Sequence, residues 1–166
     1  EIRISFIRIM SDFGFLLVNK LPGRSSFDVI RVLKKISKEK KIGHAGTLDP
    51  FATGLLIIAI GKPYTKRLSE FVNLSKVYIG EFVLGISTTT LDSYGDVTRK
   101  NKQVFISKEA LDFAAKTFIG NIQQVPPIYS AKKIKGVPSY VLARKGLRPD
   151  LKATQVSIYD FEIKMI

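Results

Sequence analysis

No cysteine occurs in the 166 residues, and there is a single histidine. The first absence excludes a disulfide scaffold and thiolate zinc sites and fits a cytosolic protein. The two together leave only carboxylate-type metal sites, and no metal is expected. Acidic residues are scarce too: 14 Asp and Glu stand against 27 Lys and Arg, a formal charge of +13 at pH 7. No apolar run approaches the roughly 20 residues needed to cross a bilayer. The Phe6-Ile7 and Phe15-Leu16-Leu17-Val18 clusters are too short for a signal peptide and lack a small-residue cleavage site. Internal repeats and low-complexity tracts are missing. So are the Walker loop, the dinucleotide fingerprint, HExxH and GxSxG. The expectation is a cytoplasmic protein with no membrane attachment.

What is present, first, is positive charge. The excess of +13 is larger than the ~2–8 that solubility asks for. Each phosphate neutralised by a Lys or Arg releases condensed counterions, so such a surface favours nucleic acid. An anionic membrane is the competing partner, but the helices are not strongly basic amphipathic anchors. Length and an ordinary 45% hydrophobic content suit one globular domain able to bury its own core.

Residues 1–9 precede a Met-Ser-Asp with the look of a natural start at Met10, so 1–12 read as an extension or start region and 13–166 as one domain. Residues 15–18 form a short buried strand ending at Asn19-Lys20. After a turn at Pro22-Gly23, Ser25 and Asp28 make a capping box. The helix it opens reaches about Lys38 and buries Val29, Ile30, Leu33 and Ile36. Lys34, Lys35, Lys38, Lys40 and Lys41 suit its negative end, either as a solvated face or facing RNA phosphates. Residues 55–60 read as a central strand. Pro63 permits a helix start, with a helix over 65–71. Residues 76–84 form a strong strand, and 87–97 a polar loop bearing Asp92 and Asp96. A helix over 107–118 closes at Gly120. Residues 123–135 are a loop, and a short helix runs from Pro138 to before Gly146. Residues 153–166 alternate as a strand, bent or bulged near Asp160. The fold class is therefore α+β, with a mixed, mainly antiparallel sheet flanked by helices. The last segment stops inside strand-like sequence, which suggests a fragment of a longer protein.

The densest signal is Lys41-Ile42-Gly43-His44-Ala45-Gly46-Thr47-Leu48-Asp49-Pro50, running through Ala52-Thr53-Gly54 into the apolar 55–60. Loops placed by a rigid strand often carry catalytic groups, and glycines give a ligand room to approach. Asp49 and His44 are candidates for a reaction centre. Asp-Pro is equally a turn initiator, and a single histidine is often structural. Asp49 joined by Asp92 or Asp96 would suit glycosidic-bond chemistry; Asp92 and Asp96 serve as well as ordinary turn residues. A serine triad would have to use His44, and no Ser lies in a nucleophile elbow.

These residues resemble the active-site motif of the TruB family of tRNA pseudouridine synthases, over about a dozen positions without a gap. The resemblance continues in order along nearly the whole chain, from about Phe13. Asn19-Lys20, Gly23 and Ser25-Ser26-Phe27-Asp28 resemble its opening motif, and Lys76-Val77-Tyr78 its KxY motif. Thr90-Leu91-Asp92-Ser93-Tyr94-Gly95-Asp96 resembles its acidic loop. Val125-Pro126-Pro127-Ile128-Tyr129-Ser130-Ala131-Lys132-Lys133 resembles its Pro-Pro-x-Tyr-Ser-Ala-x-Lys stretch, continued by Tyr140, Ala143, Arg144 and Gly146.

The resemblance implies a pseudouridine-synthase-like fold that isomerises the T-loop uridine at tRNA position 55, without a cofactor. Asp49 would be the nucleophile, attacking either the ribose or the pyrimidine ring. Tyr78 would stack on the extruded uracil and is a candidate proton acceptor. His44 would contact the flipped-out T-loop nucleotides, with Thr47 and Leu48 also among the RNA-binding residues. Lys20 would support the site or a phosphate. Leu21 stands where the family has Pro after that Lys, with Pro22 following. The family's Gly-Thr-Tyr-Ile-Arg segment, whose Arg pairs with the catalytic carboxylate, and its PUA-type domain are absent from these 166 residues. This fragment is accordingly expected to be poorly active. The expected partner is tRNA, acted on by a monomer with no obligate protein partner. The competing readings are a box H/ACA-type, guide-dependent synthase and a non-catalytic T-loop-binding chaperone.

Overall fold

The computed structural model describes residues 13–102 and 105–164. The expected start at Met10 and the stretch 1–12 lie outside the described residues, as do 165 and 166 of the expected last strand. The chain divides into two compact units, 1–79 and 80–166.

The first unit is built on three strands and one helix: β1 (Gly14–Lys20), α1 (Ser26–Ser37), β2 (Ile42–Ala45) and β3 (Gly54–Ile60). The apolar β3 lies between β1 and β2 and pairs antiparallel with both. Lys20 sits opposite Gly54, and His44 opposite Ile58. Along β1 and β3 alternate residues face α1. Val18, Leu56 and Ile58 pack there against Val29, Ile30 and Leu33, each contributing about 1.5–3 kcal/mol relative to exposure. On the other face, Phe15 meets the rings of Tyr64 and Phe71 edge-on.

Helix α1 begins as its sequence predicts. The Ser25 side chain accepts from the Asp28 N–H, and the Asp28 carboxylate accepts from the Ser25 N–H. The helix ends at Lys38 in the left-handed region (φ 57°). Ile36, expected in the core, is 68% exposed, because the apolar cluster beneath the helix stops one turn earlier at Leu33. The stretch 42–45, expected as part of a glycine loop, is strand β2, since it completes the second ladder of β3. In place of one helix over 65–71 stand two single turns, α2 (Lys62–Thr65) and α3 (Ser69–Val72).

The expected strand over 76–84 is the largest departure. It has no regular structure, and Val77, Tyr78 and Ile79 are almost wholly exposed. A strand needs a hydrogen-bonded neighbour, and none pairs with this one among the described residues. Lys76 turns back instead, its ammonium donating to the Val72 and Leu74 carbonyls at the end of α3.

In the second unit a hairpin of β4 (Ile86–Thr88) and β5 (Val97–Lys100) carries the polar loop. Helix α4 (Lys108–Lys116), capped by Ser107, leads to β6 (Gly120–Gln124). β6 pairs antiparallel with β9 (Thr154–Ile158). Between them lie the short hairpin β7 (Lys133–Ile134) and β8 (Val137–Pro138), and helix α5 (Ser139–Arg144). β6 occupies part of what the sequence suggests is loop, because its partners in β9 lie thirty or more residues away in the chain. The expected strand over 153–166 is regular only in β9; 159–164 carry no ladder. Every pairing among the described strands is antiparallel, and the class is α+β.

Candidate active site

The loop 46–53 joins β2 to β3 at the end of the sheet where β1 finishes at Lys20. It is pinned from several sides. Ser26, buried at the first turn of α1, donates its hydroxyl to the Leu48 carbonyl (3.1 Å) and accepts from the Leu48 N–H (2.9 Å). The Leu48 side chain packs against the core. The Pro50 carbonyl accepts from the Gly23 N–H at 2.8 Å, and the Asp49 carbonyl from the Ala52 N–H at 3.1 Å. Gly46 at φ 81° occupies backbone space that side-chain-bearing residues avoid.

Lys20 lies beneath this loop with only 1% of its surface exposed. Its ammonium donates to the carbonyls of Arg24 (2.8 Å), Leu21 (3.1 Å) and Pro50 (3.4 Å). Burial pushes the Lys20 pKa down, and the nearby Asp49 carboxylate opposes that shift. A buried cation whose three hydrogens meet three carbonyls ties the turn after β1 to the Asp49–Pro50 turn. The sequence marks Lys20 only through its place in the opening motif; its burial and its carbonyl partners come from the fold.

Asp49 itself is exposed and makes no ion pair among the described residues. Thr47 is exposed as well. His44, half-buried on β2, has Nδ1 2.5 Å from the Gly46 carbonyl. A carbonyl only accepts, so in this contact Nδ1 is the donor. The structure thus brings Lys20, His44, Thr47, Leu48 and Asp49 to one loop and its base. Tyr78 stands apart on the irregular segment after α3, 80% exposed, and no ring contact or hydrogen bond among the described residues joins it to the loop.

Ser26 and Gly23 are the members that sequence reasoning passed over, although both lie in the opening motif. Asp92, a candidate second carboxylate, is occupied in its own hairpin. Its Oδ1 accepts from the Thr90 hydroxyl (2.5 Å) and the Tyr94 N–H (2.9 Å), and its carbonyl from Thr88. It is a turn residue there.

The first unit therefore presents an exposed carboxylate on a hairpin loop held by a buried lysine and a buried serine. Residues 34–166 match the model for the TruB family pseudouridylate synthases (N terminal domain). The chain belongs to this family. It is 47% identical over 154 residues to tRNA pseudouridine synthase B of Fusobacterium nucleatum, covering 90% of this chain and 53% of that protein. The corresponding protein of Desulfotalea psychrophila is 40% identical over 149 residues, covering 90% and 61%. The chain thus spans about half to three-fifths of the length of these relatives. Among solved structures, a Cbf5–Nop10–Gar1 complex is similar at a TM-score of 0.47 and 27% identity, covering 74% of this chain and 31% of that one.

Proposed function

We propose that this chain is part of the catalytic domain, residues 13–166, of a cytoplasmic tRNA pseudouridine synthase that isomerises the T-loop uridine at position 55. Family membership and the two relatives named tRNA pseudouridine synthase B support the reading. The observation that carries it is Asp49, exposed on a loop whose backbone is held at Leu48 and Pro50. An ionised carboxylate so presented is a nucleophile. Asp49 bonds to C1′ of the ribose or to C6 of the pyrimidine ring, and the N1–C1′ bond breaks with its electron pair on the uracil. The uracil turns, C5 bonds to C1′, the bond to Asp49 breaks with its pair returning to the carboxylate, and the C5 proton is lost while N1 takes one up. No cofactor is needed, since bond making and breaking balance within the nucleotide.

Around that step His44, Thr47 and Leu48 contact the T-loop, Lys20 holds the turn under Asp49, and Tyr78 stacks on the extruded base. Stacking of this kind is worth roughly 1–3 kcal/mol, comparable with the cost of unstacking the target. The enzyme works as a monomer on free tRNA. In the complete protein, Asp49→Asn is expected to abolish tritium release from 5-[³H]uridine T-loop RNA while leaving the fold intact by circular dichroism. Retained release in the variant would remove Asp49 from this role. Modification only in the presence of an added guide RNA would replace free tRNA with a guided substrate.

A further inference from the structure

Helix α1 carries a feature that the loop chemistry does not use. At about 100° per residue, Phe27, Arg31, Lys34 and Lys35 fall within one arc of about 100° on the outer side of α1, with Lys34 at its half-buried border and Lys38 following at the left-handed C-cap. The stripe from Phe27 to Lys38 is about 16 Å long at the helical rise. Of its four cations only Arg31 has an ion pair among the described residues, with Asp28 at 2.6 Å. Its guanidinium also lies over the exposed Phe27 ring, 5.1 Å from the centroid. Arg31 is therefore held in place, while the three lysines are unneutralised. Like charges three and four residues apart repel along a helix, so this grouping does nothing for the helix beyond its favourable position near the C-terminus.

The stripe begins where α1 grips the candidate active site. Phe27 follows Ser26, whose hydroxyl makes both bonds to Leu48. We propose that the outer face of α1 is a phosphate track for the RNA substrate, receiving the backbone that flanks the reacting loop. Its charge is complementary to that backbone, and its near end adjoins the loop that presents Asp49. This inference rests on the reading of RNA as substrate. An anionic lipid surface is the rival for such a stripe, but α1 already commits its apolar face to the sheet.

The test is the dissociation constant of the complete protein for a T-loop hairpin RNA, measured by fluorescence anisotropy across a salt series. Replacing the three lysines together (Lys34→Gln, Lys35→Gln, Lys38→Gln) is expected to reduce the slope of log K against log salt by about 2. The charge-preserving set Lys34→Arg, Lys35→Arg, Lys38→Arg is expected to restore it. A charge-matched set elsewhere, Lys100→Gln, Lys102→Gln and Lys116→Gln, should change it less. An unchanged slope in the first set, while the parent protein still binds RNA and forms pseudouridine, overturns the track alone. An equal loss in the charge-matched set also overturns it. So does loss of binding to phosphatidylserine vesicles with the RNA slope intact. A parent protein that neither binds nor modifies the hairpin overturns the substrate reading and the track with it.

Discussion

Ser26 shows how much a single hydroxyl can decide in this protein. It is 2% exposed, and it satisfies both backbone groups of Leu48, the residue before Asp49. Removing it leaves a donor and an acceptor without partners inside the fold. Ser26→Ala is expected to destabilise the protein by about 1–3 kcal/mol in urea unfolding. It should also lower kcat more than it raises KM, because Asp49 loses its fixed placement. A loss below about 0.5 kcal/mol, the range of neutral surface changes, would mean that water replaces the hydroxyl. The sequence pattern marks Ser25 and Asp28 as a cap, since that motif is local. It is silent about Ser26, whose partner is 22 residues away. Lys20 was named through the opening motif as supporting the site or a phosphate, but its burial among three carbonyls appears only in the folded chain.

Among the elements, α1 was legible almost to the residue, since cap, apolar spacing and basic end all lie within one stretch. Its capping box makes it sensitive to acid. Hydrogen bonds from the Ser25 hydroxyl and N–H, with the nearby Arg31 and Arg24, hold the Asp28 carboxyl below its ordinary value of 3.8. A depressed carboxyl contributes stability above the ordinary value and loses it as pH falls through the folded one. The difference in urea midpoint between the parent protein and Asp28→Asn should therefore be constant from pH 7 to pH 5 and shrink below pH 4. A difference that persists to pH 2 would assign the effect to shape rather than charge. The segment 76–84 is the contrary case. Its composition favours a strand, yet pairing depends on a neighbour that local sequence does not specify.

At the scale of the whole molecule, the two compact units meet in sequence at Ile79–Gly80, within that irregular and exposed segment. Limited chymotrypsin digestion is accordingly expected to cut first after Tyr78, because proteases need local chain to open and this stretch has no ladder to break. Initial cleavage inside β3, at Leu55 or Leu56, would contradict the assignment of β3 as the protected centre. The sequence by itself determined the α+β class, the helix α1, the central strand, the basic character and the loop that carries Asp49. These depend on periodicity, caps, charge and a contiguous motif. Only the tertiary structure decided that 42–45 is a strand, that 76–84 is unpaired, and that Lys20 and Ser26 hold the loop from below. The strand and the two side-chain holds need partners distant in the chain, in β3 and at Pro50 and Leu48, and 76–84 lacks one among the described residues; such neighbours exist only once the backbone has folded.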